Sequence, residues 1–293
     1  MSLGPKTPQL WWRDLLLNGF EKDQINWDWT SRTIFRKSNP QVSADLLAKQ
    51  SGVFAAAGLI QSLQSLAFEW GSSIKIKSSF QDAQNFKKGD QLARFTGPAS
   101  LVLEVERVFI NLAAYSCGIV SKTNDFVRQL DIKKWKKRPR ITATRKVLPA
   151  YQDLALNAVI CGGGYCHRSA LNTGVLIKEN HIAASGSLAE AIRRAKDAPH
   201  LLKIEVEVTS VAEVKDVLEA GADAIMLDNF RPMQIERALK KIRKQRPDMI
   251  VEVSGGINEK NFRDYFIEGI DIISIGSLTH SVQSIDLSLL IKA

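Results

Sequence analysis

Between Gly162 and His181 the chain reads GGGYCHRSALNTGVLIKENH, three glycines followed at short range by His167, Arg168 and Lys178. Arg145 and Lys146 stand upstream, closing the β-branched stretch that begins ITATRK. Basic groups gathered this closely repel one another unless an anion or a buried carboxylate neutralises them. An arginine fork matches planar carboxylates and phosphates, and lysine adds a compact charge for the remaining oxygens. The chemistry indicated is capture of a multiply charged anion.

The C-terminal half supplies groups of the opposite character. Glu207, Asp228, Ser254 with Gly255 and Gly256, and Gly276 with Ser277 each fall at the end of a short apolar stretch. Glu205 and Glu207 share one face of their stretch by the period of two. A carboxylate inside a barrel is costly unless a metal or a cation pairs with it. SGGI and GSL, after the last two stretches, are glycine turns that could bring backbone amides to a phosphate.

These residues need elements that bring them together. LKIEVEVTS alternates as a strand, SVAEVKDVLEAG has helical spacing, and ADAIMLDN is a short apolar strand. The cycle continues with PMQIERALKKIRKQ as helix, DMIVEVSGG as strand, NEKNFRDYFIEG as helix and IDIISIGS as strand. Such alternation builds right-handed βαβ units, hence a parallel sheet or barrel, and in a barrel all strand C-termini converge on one face. The N-terminal part lacks this cycle. It reads as a helix (PQLWWRDLLLNGF), a run of short strands from Val53 to Gly97 and a long helix from Ala99. FKKGDQLARFTGP has the form of a turn with flanking strands. The expected fold is therefore an incomplete α/β barrel of parallel βα units preceded by an α+β sandwich-like domain. The domain reading is 1–125, joined by the tail 278–293, and a barrel over 126–277.

Bulk properties narrow the class. With 45% apolar and 24% charged residues in 293, the chain has the composition of a folded globular protein and not of a disordered one. Its apolar runs, such as VFAAAGLI from Val53, are too short to span a bilayer. The three cysteines, Cys117, Cys161 and Cys166, do not form an even disulfide framework, so a reducing, cytoplasmic setting is expected. Cys161, Cys166 and His167 lack the second ligand pair of a zinc site and read as packing residues. Net charge of +9 favours anionic partners without naming them. The dense basic run KKWKKRPR, Lys133 to Arg140, reads foremost as a solvated turn, with nucleic-acid contact and then a targeting signal as the alternatives. The opening Met1–Gly4 is set apart from the fold.

Taken in order, GPASLVLEVERVFINL, TRK, GGGYCHR, LIKENH, IEVEV, AGADAIMLDN, VSGGI and ISIGSLTHS resemble the quinolinate phosphoribosyltransferase family over nearly the whole chain. The resemblance implies an enzyme that joins quinolinate to phosphoribosyl pyrophosphate with decarboxylation. It implies that Arg145, His167, Arg168 and Lys178 clamp carboxylates and phosphates, with Lys146 beside them, and that Lys146, Lys178, Glu207 and Asp228 are catalytic. Glu207 and Asp228 would hold the ribose hydroxyls or Mg²⁺, and Ser254, Gly255, Gly256 and Gly276 the 5′-phosphate. Arg107 resembles the arginine lent to a neighbouring subunit's site. The assembly so implied is a homodimer or a hexamer of dimers with a shared site, with no nucleic acid or membrane among its partners.

The chain departs from the family's usual T-R-K-T-x-P-G-L-R at Val147, Ala150, Tyr151 and Gln152, from its usual Gly and Asp at Ala170 and Thr173, and from a serine at Cys117. Two other readings compete: a molybdenum-transport-associated paralogue acting on another anionic base, and a non-enzymatic nucleic-acid-binding module. LIKENH favours the quinolinate branch. The nucleic-acid reading leaves the strand-end carboxylates without a role.

Overall fold

The computed structural model describes residues 8–72, 74–131 and 134–292, so Met1–Gly4 and Lys133 lie outside the described residues. The chain divides into two compact units. One holds the described residues up to Asn124, Leu148–Gly162 and the stretch from Val282, and the other holds Asp125–Val147 and Gly163–Ser281. Elements are numbered in chain order.

The first unit opens with α1 (Pro8–Asp23) and α2 (Trp29–Ile34), the latter capped by Asp28, whose carboxylate accepts from the amides of Thr30 and Ser31. There follow β1 (Gln41–Ala48), β2 (Gly52–Val53), α3 (Ala57–Glu69), β3 (Lys75–Ser78), β4 (Asn85–Phe86), β5 (Gln91–Pro98) and α4 (Ala99–Leu130). The expected run of strands from Val53 to Gly97 is thus interrupted by a helix. Leu59, Ile60, Leu63, Leu66 and Ala67 of α3 are all buried and recur at helical spacing, a period that a strand could not bury on one face. Later in the chain, α5 (Gln152–Cys161) and β13 (Leu287–Ile291) join this unit. β13 pairs antiparallel with β1, completing the sheet order β13-β1-β5-β3. Phe95 of β5 meets Phe109 of α4 edge-on at 5.0 Å in the core.

The second unit contains β6 (Arg140–Ala143), β7 (Tyr165–Cys166), β8 (Val175–Ile177), α6 (Glu179–Ser185), α7 (Leu188–Ala195), β9 (Ile204–Val208), α8 (Glu213–Ala220), β10 (Ala224–Asp228), α9 (Pro232–Gln245), β11 (Ile250–Ser254), β12 (Ile272–Ser274) and α10 (Ser277–His280). Its strands are all parallel, in the order β7-β6-β12-β11-β10-β9-β8. β12 returns beside β6, yet among the described residues no pairing links β7 to β8, which leaves the barrel incomplete, as expected. One set of alternate residues, Val206, Ile225, Leu227, Val251, Val253 and Ile273, is buried in the apolar core. α9 contributes Ile235, Ala238, Leu239 and Ile242 to that core and starts with Pro232, whose missing amide costs nothing at a helix start.

NEKNFRDYFIEG is not the expected helix but a short 3₁₀ turn, Phe262–Tyr265. Asn261 accepts from the Asn258 amide and, like Asn258, donates its side-chain amide to Gly256 O. These local bonds compete with helical ones. At the opposite end of the sheet from the strand C-termini, Arg243 donates to the carbonyls of Pro247, Met249 and Gly269 and to Asp271, which also accepts from Val251 N. Asp271 is held below the usual carboxylate range. Burial opposes this, but bonds from Lys137, Val251 and Arg243 outweigh it. No helix among the described residues is long and apolar enough to cross a membrane.

Candidate active site

Register decides which side chains meet. Across the parallel sheet Glu207 is level with Met226, Met226 with Glu252, Asp228 with Ser254, and Ser274 with Thr142. Side chains alternate between faces, so all of these share one face, while Val206, Leu227 and Val253 take the other. The shared face lines a cavity of about 460 Å³. Its wall comprises Thr144, Arg145, Lys146, His167, Arg168, Leu176, Lys178, Glu207, Met226, Asp228, Asn229, Glu252, Ser254, Gly255, Gly256 and Ser274. All five basic groups singled out from the sequence therefore face one space, with both acidic strand ends and the SGG turn.

The charges are arranged unevenly. Lys178 donates to Glu207 at 2.7 Å, and His167 Nε2 lies 2.6 Å from Glu205 and 3.3 Å from Glu252. Among the described residues no acid pairs with Arg145, Lys146 or Arg168. Arg168 reaches Gly174 O at 3.3 Å, and burial together with the Arg145 charge lowers its pKa. Such cations want an anion. Burial and the neighbouring Glu207 push Asp228 up, against a bond from Asn229 and the charges of Lys178 and Lys146. His167 is raised to about 10: burial would lower it, but bonds to Glu205 and Glu252 outweigh that. Glu252 is fully buried, and burial pushes its carboxyl up.

The turn after β11 is shaped by contact with the end of β10. Asn229 adopts φ 57° and donates its amide to Ser254 O, while its side chain holds Asp228 at 2.6 Å. Gly255, at φ 92°, lies against this turn, and a Cβ there would stand 2.6 Å from Asn229 Cγ and 2.7 Å from its backbone nitrogen. Only glycine allows that approach.

Gly276 does not line the cavity. A Cβ built on it would lie 2.9 Å from His280 Nε2, and at an ordinary contact distance of 3.5 Å from Lys146 Cδ. Arg107 is on α4 in the first unit, where it lines cavities with Asp23, Asn111 and Glu104. Of the positions where the chain departs from the family pattern, Val147, Ala170 and Thr173 are in the same unit as the 460 Å³ cavity and do not line it. Thr173 and Ala170 bond to each other across their own turn, and Tyr151 packs edge-on to Tyr115 in the first unit. Sequence reasoning passed over Glu252 and Asn229. Glu252 was legible two residues before Ser254 on the same face, whereas nothing local marked Asn229 beyond its place after Asp228.

Two sets of groups bear on metal binding. Glu207 and Asp228 offer hard oxygens, and Asp228's upward shift, caused in part by Glu207, marks a place where a cation would relieve repulsion. That suits Mg²⁺, which takes one or two carboxylates together with substrate phosphates. His167, Glu205 and Glu252 also present donor atoms within 4.8 Å of one another. There the proton between His167 and Glu205 already does the work of a cation. Burial raises Cys117 to about 12 and Cys161 to about 11, so neither thiol is a ready ligand. In the basic run, Trp135 donates to Leu130 O, Lys137 pairs with Asp271, Arg138 with Asp131, and Arg140 lies over Tyr165. Those side chains are engaged within their own unit.

Residues 119–290 match the C-terminal domain of quinolinate phosphoribosyl transferase, and residues 28–117 match its N-terminal domain. The probable nicotinate-nucleotide pyrophosphorylase (carboxylating) of Bacillus subtilis is 39% identical over 277 residues, 94% of this chain and 91% of the relative. Its counterpart from Methanocaldococcus jannaschii is 44% identical over 76% of this chain and 79% of the relative. The crystal structure of NadC from Streptococcus pyogenes superposes with a TM-score of 0.86 at 32% identity, covering 100% of both chains.

Proposed function

This chain belongs to the quinolinate phosphoribosyl transferase family, and from that premise we propose that it transfers the phosphoribosyl group of phosphoribosyl pyrophosphate to quinolinate with loss of one carboxylate. The products are nicotinate mononucleotide, pyrophosphate and CO₂, a step toward NAD. One observation carries the reading: Arg145, Lys146, His167, Arg168 and Lys178 line one cavity with Glu207, Asp228 and the glycine turn. A pyridine dicarboxylate and a pyrophosphorylated sugar are together a multiply negative guest for such a cavity. Of the positions that depart from the family pattern, the three in the same unit, Val147, Ala170 and Thr173, stay off its wall, and LIKENH matches the quinolinate branch.

Charge then accounts for the chemistry. Arg145, His167, Arg168 and Lys178 bind the carboxylates and phosphates, with Lys146 beside them. Glu207 and Asp228 orient the ribose hydroxyls. Ser254, Gly255 and Gly256 take the 5′-phosphate. The bond from C1 of ribose to pyrophosphate breaks as the pyridine nitrogen bonds to that carbon, so no protein nucleophile is needed. The positive charge on the alkylated nitrogen stabilises the electron pair left on the adjacent ring carbon when its carboxylate departs as CO₂, and a proton from solvent then bonds to that carbon. Glu207 and Asp228 would also hold Mg²⁺ together with the substrate's own oxygens, and the chemistry it would supply is neutralisation of charge on the leaving pyrophosphate.

The test is incubation with quinolinate, phosphoribosyl pyrophosphate and Mg²⁺, with pyrophosphate and CO₂ measured together. Equimolar release of both is expected, and release of neither from folded protein refutes the reading. Arg107, on the first unit, is assigned to the site of a partner protomer in a homodimer. Mixing Arg107→Ala with Arg145→Ala protein should then restore part of the activity, and failure of that rescue removes the shared site.

A further inference from the structure

A cavity built for a polyanion has a reason to exclude acids from its interior, yet Glu205 and Glu252 are both buried on its cavity-facing side. They come from β9 and β11, on either side of β10, where Ala224 is level with Glu205 and Met226 with Glu252. Both approach the same atom, His167 Nε2, at 2.6 and 3.3 Å. His167 follows β7, an edge strand that no pairing joins to β8 among the described residues, and its backbone is tied by its amide to Ala143 O. The ring therefore extends from the open edge of the sheet toward two acids on its far side.

This arrangement determines what the ring offers a ligand. Nε2 lies 2.6 Å from Glu205, whose carboxylate accepts, so that nitrogen carries the proton, while Glu252 stands behind it at 3.3 Å. Nδ1 is then the ring nitrogen left for the cavity that His167 lines. A ring neutral overall would present a lone pair at Nδ1 and repel a carboxylate, whereas the imidazolium presents an N–H. Two acids at the back of the ring favour the imidazolium. We propose that Glu205 and Glu252 are positioning residues that hold His167 by Nε2, fixing its orientation so that Nδ1–H faces the substrate carboxylate. The role assigned to them rests on the phosphoribosyl-transfer reading of the cavity. Their acidity serves anion binding through the histidine, and neither acid needs to touch substrate.

The experiment pairs steady-state kinetics with NMR of the histidine protons. Glu205→Gln should raise KM for quinolinate about ten- to hundredfold, the effect of losing one charge-assisted hydrogen bond, while KM for phosphoribosyl pyrophosphate moves less than about threefold. Glu252→Gln should act in the same direction. In a His167→Asn background either change should alter KM for quinolinate less than about twofold, because the residue it acts through is gone. A general structural defect would instead raise both KM values and add to the His167→Asn effect. Such an outcome would overturn the proposal. Independently of turnover, wild-type protein should show a far-downfield His167 Nε2 proton that is absent in His167→Asn and shifted or lost in Glu205→Gln. If that signal is missing from the wild type, or unmoved in Glu205→Gln, the positioning role is wrong even if the enzyme makes nicotinate mononucleotide. If the signal behaves as expected but no pyrophosphate or CO₂ is released, the reaction reading fails while the holding of His167 stands. Should Glu252→Gln fail to fold, Glu205→Gln and the proton signal still decide.

Discussion

Gly255→Ala tests whether the close approach of the two strand-end turns is what places Asp228. The added methyl carbon would stand 2.7 Å from Asn229 N and 2.6 Å from Asn229 Cγ, and ordinary contact begins near 3.4 Å, so the turns must part by about 0.7 Å, which is 3.4 less 2.7. Alanine at φ 92° also pays the left-handed conformational cost, about 1–2 kcal/mol. Together these predict a loss of stability of about 2–4 kcal/mol. Because Asn229 holds Asp228 at 2.6 Å, a shift approaching 1 Å should lower kcat/KM about 100-fold. Gly256→Ala is the control. Gly256 also has positive φ, 65°, but a Cβ there would meet Asn229 Oδ1 at 3.9 Å, an ordinary contact, leaving only the conformational cost of about 1 kcal/mol. Thermal melts on the two variants decide the matter, since Gly256 also lines the cavity and its rate is no control. Equal losses in both would refute the claim that contact with Asn229, as distinct from backbone strain, makes Gly255 necessary.

Asp228→Asn should raise the melting temperature at pH 7.5 while abolishing most activity. Burial and Glu207 raise the Asp228 pKa in the folded state, so its favourable contribution is present below its ordinary value and lost as pH rises through the raised one. The stabilisation by asparagine should therefore shrink toward pH 4, and melts across that range check it. For His167, raised to about 10 from an ordinary 6.5, the stabilising contribution is complete below about pH 6.5 and is lost as pH climbs toward 10. Wild-type protein should accordingly lose stability over pH 7–10 more steeply than His167→Gln, and parallel curves would contradict the assignment. Arg243→Ala strips Asp271 of a partner and three carbonyls of a donor, so denaturant titration should show a loss of about 2–4 kcal/mol. Kinetic constants should stay within about twofold, since that cluster lies at the end of the sheet remote from the cavity.

Much of this protein could be read from its one-dimensional pattern because the βα cycle repeats two periodicities that need no tertiary information. Strand-end positions for Glu207, Asp228 and Ser254 followed from counting, and the clustered cations pointed to an anion because like charges at short range need a counter-charge wherever they fold. Family motifs then added substrates that counting could not supply. Tertiary structure decided the remainder. Helix α3 stands where strands are expected, although Leu59, Ile60, Leu63, Leu66 and Ala67 already recur in the sequence at helical spacing. The turn at Phe262–Tyr265 escaped helical form through side-chain bonds to Gly256 O, which depend on where the preceding strand ends. Glu252 and Glu205 acquired a partner only when the open edge carrying His167 came opposite β9 and β11. Periodicity assigns each residue a face, but which faces confront one another, at what distance and with which charges desolvated, depends on strand order and register, and those arise from packing the whole sheet.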